Sequence, residues 1–234
     1  MMRLRLLSLA IGAALVVTPA HATEQSLEDA ADQISELFSE GFSISSENHV
    51  AARDVFLKAA AIAEAVLASH EGLDPATKRD MQYQAANGYY YAGEAGHELA
   101  RRADDPQPFT DAKIVHFEKA LAYQRIVFAD GVDGKLVAEY FFGTSLLVEY
   151  GIETADPRTA DWAEANVHSG RLRIDESKMM GGDDHYGAMN ELVATLLDYA
   201  AVTGNAEARV EAEQLISQIP EDRHGSAIRN RSQR

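Results

Sequence analysis

The residues best suited to chemistry in this chain are a glutamate and a histidine, Glu94 and His97. On a helix, a spacing of three places a carboxylate and an imidazole on one face, as in di-iron helical bundles. Such a site also needs a second pair of this kind and two more glutamates on partner helices. Glu164 and His168 are spaced by four, a weaker arrangement that is common by chance. We therefore expect surface residues here, with no metal and no cofactor.

Motifs of the common enzyme classes are absent from the sequence. It has no G-x-S-x-G, no phosphate-binding loop, no H-E-x-x-H and no dinucleotide fingerprint. Scattered serines and histidines could still assemble a hydrolytic site in three dimensions, because triads are recognised by geometry. We expect a non-catalytic protein, and a helical enzyme or metal-dependent protein that uses Glu94 and His97 is the alternative.

The stretch AANGYYYAGEAG at 85–96 combines small residues with three consecutive tyrosines. At helical spacing its small residues form one stripe that lets a neighbouring helix approach closely. The stripe consists of Ala85, Gly88, Ala92 and Ala95. Another face is polar and aromatic, and it carries Tyr83, Asn87, Tyr90, Glu94, His97 and Arg101.

Helical periodicity between turn signals accounts for almost the whole chain, and strand signals are weak. We predict an all-α fold. The predicted helices cover residues 26–41, 48–70, 75–103, 110–129, 135–150, 158–174, 184–203 and 206–219. The polar, arginine-containing segment 221–234 is predicted to be a disordered tail, with a basic docking arm as the alternative.

The N-terminus has the layout of a secretory signal peptide. Arg3 and Arg5 precede an apolar run, and Ala20-His21-Ala22 forms a cleavage motif. We expect a signal peptide at 1–22, a helical domain at 23–220 and a periplasmic location, with secretion to the medium or an uncleaved anchor as alternatives. No later run predicts membrane insertion.

Charge and cysteine content exclude several functions. The chain has 37 acidic and 21 basic residues, a net charge of −16, which repels nucleic acid and anionic lipid. It has no cysteine, so disulfides, thiolate metal sites and cysteine nucleophiles are excluded, and stability must come from helix packing.

Pairs of predicted helices resemble tetratricopeptide repeats, in which small residues on one helix pack against large apolar residues on the next. Ala52, Phe56 and Ala59 match the spacing of the second helix of that unit. Near the C-terminus the similar positions are Leu192, Tyr199, Ala208, Ala212, Leu215 and Pro220. HFEKAL at 116–121 and YFFGTSLL at 140–147 resemble further segments. The resemblance implies an α-solenoid of stacked antiparallel helix pairs; an unrelated helical bundle is the alternative.

The same resemblance divides the tyrosine stretch into two roles. AANGYYYAG is similar to the family's first-helix segment, which implies that Tyr89 packs inside the repeat. It also implies that Tyr83, Asn87, Tyr90 and Tyr91 point into a concave groove that holds peptide ligands. With Glu94 and His97 these are the expected binding residues of a protein- or peptide-binding scaffold. A self-associating envelope component is a further alternative, and the sequence leaves the oligomeric state open.

Overall fold

The structure, a computed structural model, describes residues 19–70, 72–132, 135, 137–180 and 184–231. In order, its elements are α1 (Pro19–Ser45), α2 (His49–Ser69), α3 (Pro75–Arg102), α4 (Gln107–Val127), α5 (Ala138–Thr154), α6 (Thr159–Met180), α7 (Asp184–Thr203), α8 (Ala206–Ile216), a 3-10 turn (Glu221–Arg223) and α9 (Ser226–Arg231). This part of the chain contains no strand, so the all-α prediction is confirmed. Most of the predicted signal peptide, residues 1–18, lies outside the described residues, and the predicted cleavage site after Ala22 lies within α1.

Short polar side chains start several of these helices. The Asn48 side chain accepts a hydrogen bond from the Ala51 amide at 3.0 Å and begins α2. Asp74 accepts from the amides of Ala76 and Thr77 and begins α3, with proline in the first turn. These bonds satisfy amides that have no partner inside the helix. Local sequence therefore fixes where the helices begin.

Helices α1 to α8 pack in chain order, each against the next, as in a solenoid, and α9 packs against α7. In addition α3 contacts α1 on one side and α5 on the other. Helix α3 therefore adjoins both of its odd-numbered neighbours, α1 and α5. Within the described residues, no helix is both long enough and apolar enough to cross a membrane.

The small-residue stripe of α3 is predicted to let a neighbouring helix approach closely, and the structure shows that this helix is α2. A Cβ atom added to Gly88 would lie 2.8 Å from the Ala60 Cβ and 2.9 Å from the Phe56 carbonyl oxygen. Ala85 and Ala92 are fully buried on the same face. The two backbones can approach this closely only because Gly88 has no side chain.

Large side chains fill the space between the later helices. Phe117 from α4, Tyr140 from α5 and Trp162 from α6 are each 1 % exposed and belong to one apolar cluster. A second cluster joins α7 and α8 and includes Ile219 and Ile228 from the C-terminal segment. Burial of this apolar area is the main stabilising contribution to the fold.

The C-terminal segment differs from the prediction of a disordered tail. Residues 221–231 form the 3-10 turn and α9, and Ile228 is only 2 % exposed. The Asn190 side chain of α7 donates to the Arg223 carbonyl at 3.0 Å and accepts from the Gly225 amide at 2.6 Å. The buried Ile228, the Asn190 amide and the contact of His224 Nε2 with the Ile219 carbonyl at 3.0 Å hold a segment whose average composition is polar. Residues 232–234 lie outside the described residues.

Candidate functional site

Two of the six predicted binding residues, Tyr91 and Glu94, line a cavity of about 310 Å³ between α1 and α3. The C-terminal turn of α1 forms one wall, the outer face of α3 forms the other, and α2 contributes to the floor. The full lining consists of Phe42, Ser45, Ser46, His49, Phe56, Tyr91, Glu94, Ala95, Glu98 and Arg102. We call this space the α1–α3 cavity.

Three aromatic rings form the apolar side of the α1–α3 cavity, Phe42, Phe56 and Tyr91, and Phe38 packs against all three without lining it. Phe42 meets Tyr91 edge to face, with ring centroids 4.7 Å apart and an interplanar angle of 85°. Phe56 is buried, at 2 % exposed, whereas Phe42 keeps 48 % of its surface exposed. Phe42 thus packs against neighbouring rings while it still offers apolar area to an incoming group.

Tyr91 also connects this cavity to α5. Its hydroxyl donates a hydrogen bond to Oε1 of Glu139 at 2.7 Å. Burial, and then the hydrogen bond to the Glu139 carboxylate, raise the pKa of Tyr91 above that of an ordinary tyrosine. The residue therefore stays a neutral donor at physiological pH.

Glu94 gives the cavity negative charge. The carboxylate forms no ion pair or hydrogen bond within the part of the chain that the structure describes, although the residue keeps an exposed side. Packing around the carboxylate, followed by the negative charges of Glu139 and Glu98, raises the pKa of Glu94. Glu98 differs, because Arg101 lies 2.8 Å away and Arg102 3.6 Å away. Glu94 is thus the cavity's uncompensated carboxylate.

The prediction that Tyr90 points into a groove is wrong. Tyr90 is only 7 % exposed, and its ring centroid lies 5.9 Å from that of Phe117 on α4. A Cβ atom added to Gly143 of α5 would be 3.3 Å from its ring. The tyrosine fills the junction of α3, α4 and α5. Tyr89 is 5 % exposed, in agreement with its predicted packing role.

Tyr83 and Asn87 are half-buried, and neither lines the α1–α3 cavity. The Tyr83 ring contacts Phe128 edge to face, and the Lys135 ammonium lies 4.5 Å from its centroid. Oδ1 of Asn87 is buried without a hydrogen-bond partner among the described residues. The structure therefore does not bring these two residues together with Phe42 and Glu94.

His97 is engaged elsewhere, since its Nδ1 lies 3.3 Å from the Lys113 ammonium of α4. Burial, and then the positive charge of Lys113, lower the pKa of His97. Among the described residues, no group of three or more histidine, aspartate and glutamate side chains is arranged to hold a metal ion. A second Glu-x-x-His, which our sequence reasoning missed, is Glu221 and His224 in the C-terminal turn.

Sequence reasoning also missed Phe42, Ser45 and His49 as cavity residues. The available signal was the pair Phe38 and Phe42, spaced by four, which places two large rings on one face of α1. Which helix this face would meet is a matter of tertiary packing.

Comparison of the chain with protein-family models, with curated proteins and with solved structures finds no match. The geometry of the described residues is therefore the basis for the functional argument.

Proposed function

We propose that the protein is an exported, non-catalytic scaffold that binds another protein or a peptide through the α1–α3 cavity. The observation that supports this best is Phe42, which is half exposed yet fixed edge-on against Tyr91 beside the unpaired Glu94. Aromatic residues in a rigid setting are typical of the positions that dominate binding energy in protein interfaces.

The helical architecture supports the same role. Stacked helices present a surface that is already ordered, so little conformational entropy is lost on binding. The α1–α3 cavity, at about 310 Å³, has the volume of a small binding pocket. A large apolar side chain of a partner would contact Phe42 and Phe56, with the carboxylate of Glu94 beside it.

Export is proposed from the N-terminal pattern of the sequence. Arg3 and Arg5, the apolar run that follows and Ala20-His21-Ala22 are typical of a cleaved signal peptide. N-terminal sequencing of protein from the periplasmic fraction tests this part, with a mature chain that begins at Thr23 as the expected result.

Site-specific photo-crosslinking tests the binding role. A photoreactive amino acid placed at Ser45, on the rim of the cavity, is expected to capture a defined partner in the native compartment. The matched position is Val210 on α8, which is 52 % exposed and lies outside this cavity. Phe42→Ala is expected to abolish capture from Ser45. Equal capture from Ser45 and Val210, or capture unaffected by Phe42→Ala, would contradict the proposal.

A further inference from the structure

A second cavity, of about 530 Å³, lies between α5 and α7, where α6 supplies the floor. We call it the α5–α7 cavity. None of its lining residues belongs to the α1–α3 cavity or to the predicted site. Its chemistry can be described by three features: a buried amide, a set of carboxylates and an exposed apolar edge.

The buried amide is Asn166 of α6, which is 4 % exposed and borders the α5–α7 cavity. Its Oδ1 lies 2.9 Å from the Thr144 hydroxyl and 3.1 Å from the Ser145 hydroxyl. Because an amide is planar, Nδ2 points away from these two hydroxyls. Nδ2 has no hydrogen bond to any residue that the structure describes. Because Asn166 lines the cavity, its Nδ2 is available to donate a hydrogen bond to an acceptor of a ligand there.

The carboxylates come from both walls. Glu149 and Glu153 of α5 and Asp198 of α7 form no ion pair within the described ranges. All three residues are exposed at the cavity rim, and partial burial, the single cause, raises the pKa of Asp198, as expected for a carboxylate with no cation beside it. Two cations lie nearby. Lys113 of α4 interacts electrostatically with Glu149 and Glu153. The cavity also contains a fourth carboxylate, Glu191 of α7, and Arg173 of α6 lies 3.5 Å from it. Acidic groups outnumber basic ones at this cavity.

The apolar edge is formed by α5. Phe141 and Val148 are buried at the cavity wall, and Ile152 is 51 % exposed at its rim. Apolar surface next to unpaired carboxylates suits an occupant that carries both apolar and positively charged side chains.

We propose that the α5–α7 cavity is a second binding site, for a cationic amphipathic peptide segment of a partner protein. A leucine-like side chain contacts Val148 and Ile152, and flanking lysine or arginine side chains pair with Glu149 and Asp198. A backbone carbonyl of the peptide accepts a hydrogen bond from Nδ2 of Asn166. This site goes beyond the proposed function, which concerns the α1–α3 cavity.

Fluorescence anisotropy with defined peptides tests the inference on the full chain. The probe is a short fluorescein-labelled peptide that alternates lysine and leucine; its two controls alternate glutamate with leucine and lysine with serine. Only the lysine–leucine peptide is expected to bind with a measurable Kd. Its affinity should fall as the salt concentration rises, because charge pairs near a surface are screened.

Variants locate the binding. The double variant Glu149→Gln/Asp198→Asn is expected to weaken binding about tenfold, since two charge pairs are lost. Its matched control, Asp32→Asn/Glu36→Gln, changes the net charge equally at exposed positions on α1 and should leave the Kd unchanged. Ile152→Ala, at an exposed position, should weaken binding about threefold through lost apolar contact.

Three results would overturn the inference. They are no binding of the lysine–leucine peptide, an equal loss in both double variants, or a loss caused by Phe42→Ala alone. The last result would place the peptide in the α1–α3 cavity and would agree with the proposed function. Failure of crosslinking from Ser45, in contrast, would count against the proposed function and leave the present inference unaffected.

Discussion

The Tyr91 hydroxyl of α3 donates to the Glu139 carboxylate of α5 at 2.7 Å, across 48 positions of sequence. The same tyrosine ring packs against Phe42 of α1. The Tyr91 side chain therefore connects the wall of the α1–α3 cavity to α5. We expect its hydroxyl to contribute to stability as well as to the shape of the cavity.

Removal of this hydroxyl should destabilise the protein. Tyr91→Phe leaves Oε1 of Glu139 without its donor, and Oε2 of the same carboxylate is already buried without a partner. The expected loss in the free energy of unfolding is about 1–2 kcal/mol, measured by urea denaturation. Tyr150→Phe is the matched control, because no hydrogen bond of the Tyr150 hydroxyl is present among the described residues. Equal effects of the two substitutions would contradict this role.

Two glycine-to-alanine substitutions on helices should have opposite effects. Gly88→Ala forces a methyl group against the backbone of α2 and should lower the free energy of unfolding by about 2 kcal/mol. Gly187→Ala on α7 meets open space and should raise it by about 0.5–1 kcal/mol, because alanine is the better helix former. Thermal and urea unfolding measure both. If Gly88→Ala were also stabilising, the close α2–α3 contact would be wrong.

Arg79 should stabilise the end of α4. Its Nε donates to the Val127 carbonyl at 2.9 Å, where α4 ends. Arg79→Met removes this partner from a helix C-terminus and should cost about 2 kcal/mol of unfolding free energy.

Arg101→Met is the comparison for that variant. Its ion pair with Glu98 is exposed, so its loss should cost less than about 1 kcal/mol. Hydrogen exchange provides a second measurement, in which only Arg79→Met should speed exchange in the last turn of α4. Faster exchange in Arg101→Met would contradict this assignment.

Asp198 should lower stability at neutral pH. Asp198 is an exposed residue, but partial burial of its carboxylate raises the pKa above the ordinary value of 3.8. The folded state therefore disfavours the ionised form, and the effect is small because solvent screens it. Asp198→Asn should therefore raise the urea midpoint at pH 7. The gain should shrink as the pH falls through the raised pKa towards 3.8, because the folded chain then binds the proton first and the penalty disappears.

The exposed Glu36→Gln is the control for this pH dependence and should show no comparable gain at pH 7. Asp198→Asn is also expected to bind the lysine–leucine peptide more weakly. A variant that is more stable and binds less tightly would indicate that Asp198 lowers the stability of the fold while it contributes to binding.

Metal removal should have no effect on the protein. His97 lies beside the Lys113 ammonium, whose positive charge disfavours a metal ion bound jointly by His97 and Glu94. Elemental analysis of purified protein should find no stoichiometric metal, and a chelator should leave the Tm unchanged. One metal ion per chain that is lost in both Glu94→Ala and His97→Ala would instead favour the metal-dependent alternative.

Helix positions could be read from the sequence where local signals exist. The predicted helix at 75–103 is close to α3, because Asp74 and Pro75 form a recognisable start and the polar, proline-containing turn a recognisable end. The predicted helix at 158–174 ends six residues before the last residue of α6, Met180. That last turn looks polar, yet Glu176 is 4 % exposed and is paired with Arg173 and the Val137 amide. The bond between Glu176 and the Val137 amide forms only when α6 packs against the start of α5, so the sequence of α6 alone does not reveal it.

The candidate site could also be predicted only in part, because some of its features depend on tertiary packing. Tyr91 and Glu94 line a cavity, as their polar and aromatic types suggested, but Phe42 was missed and Tyr90 is buried. Periodicity assigns a residue to a face of its own helix. Periodicity does not say whether another helix packs on that face. In this fold α5 packs on Tyr90 and buries it.

The sequence alone therefore determined the helical class, most helix starts, the small-residue stripe around Gly88 and the acidic charge, because each depends on neighbours within a few residues or on composition. Only the tertiary structure decided that Tyr90 is buried, which helix meets the Gly88 stripe, where the C-terminal segment packs and which carboxylates lack a cation. These properties arise when helices distant in sequence meet, and their mutual burial sets both exposure and pKa.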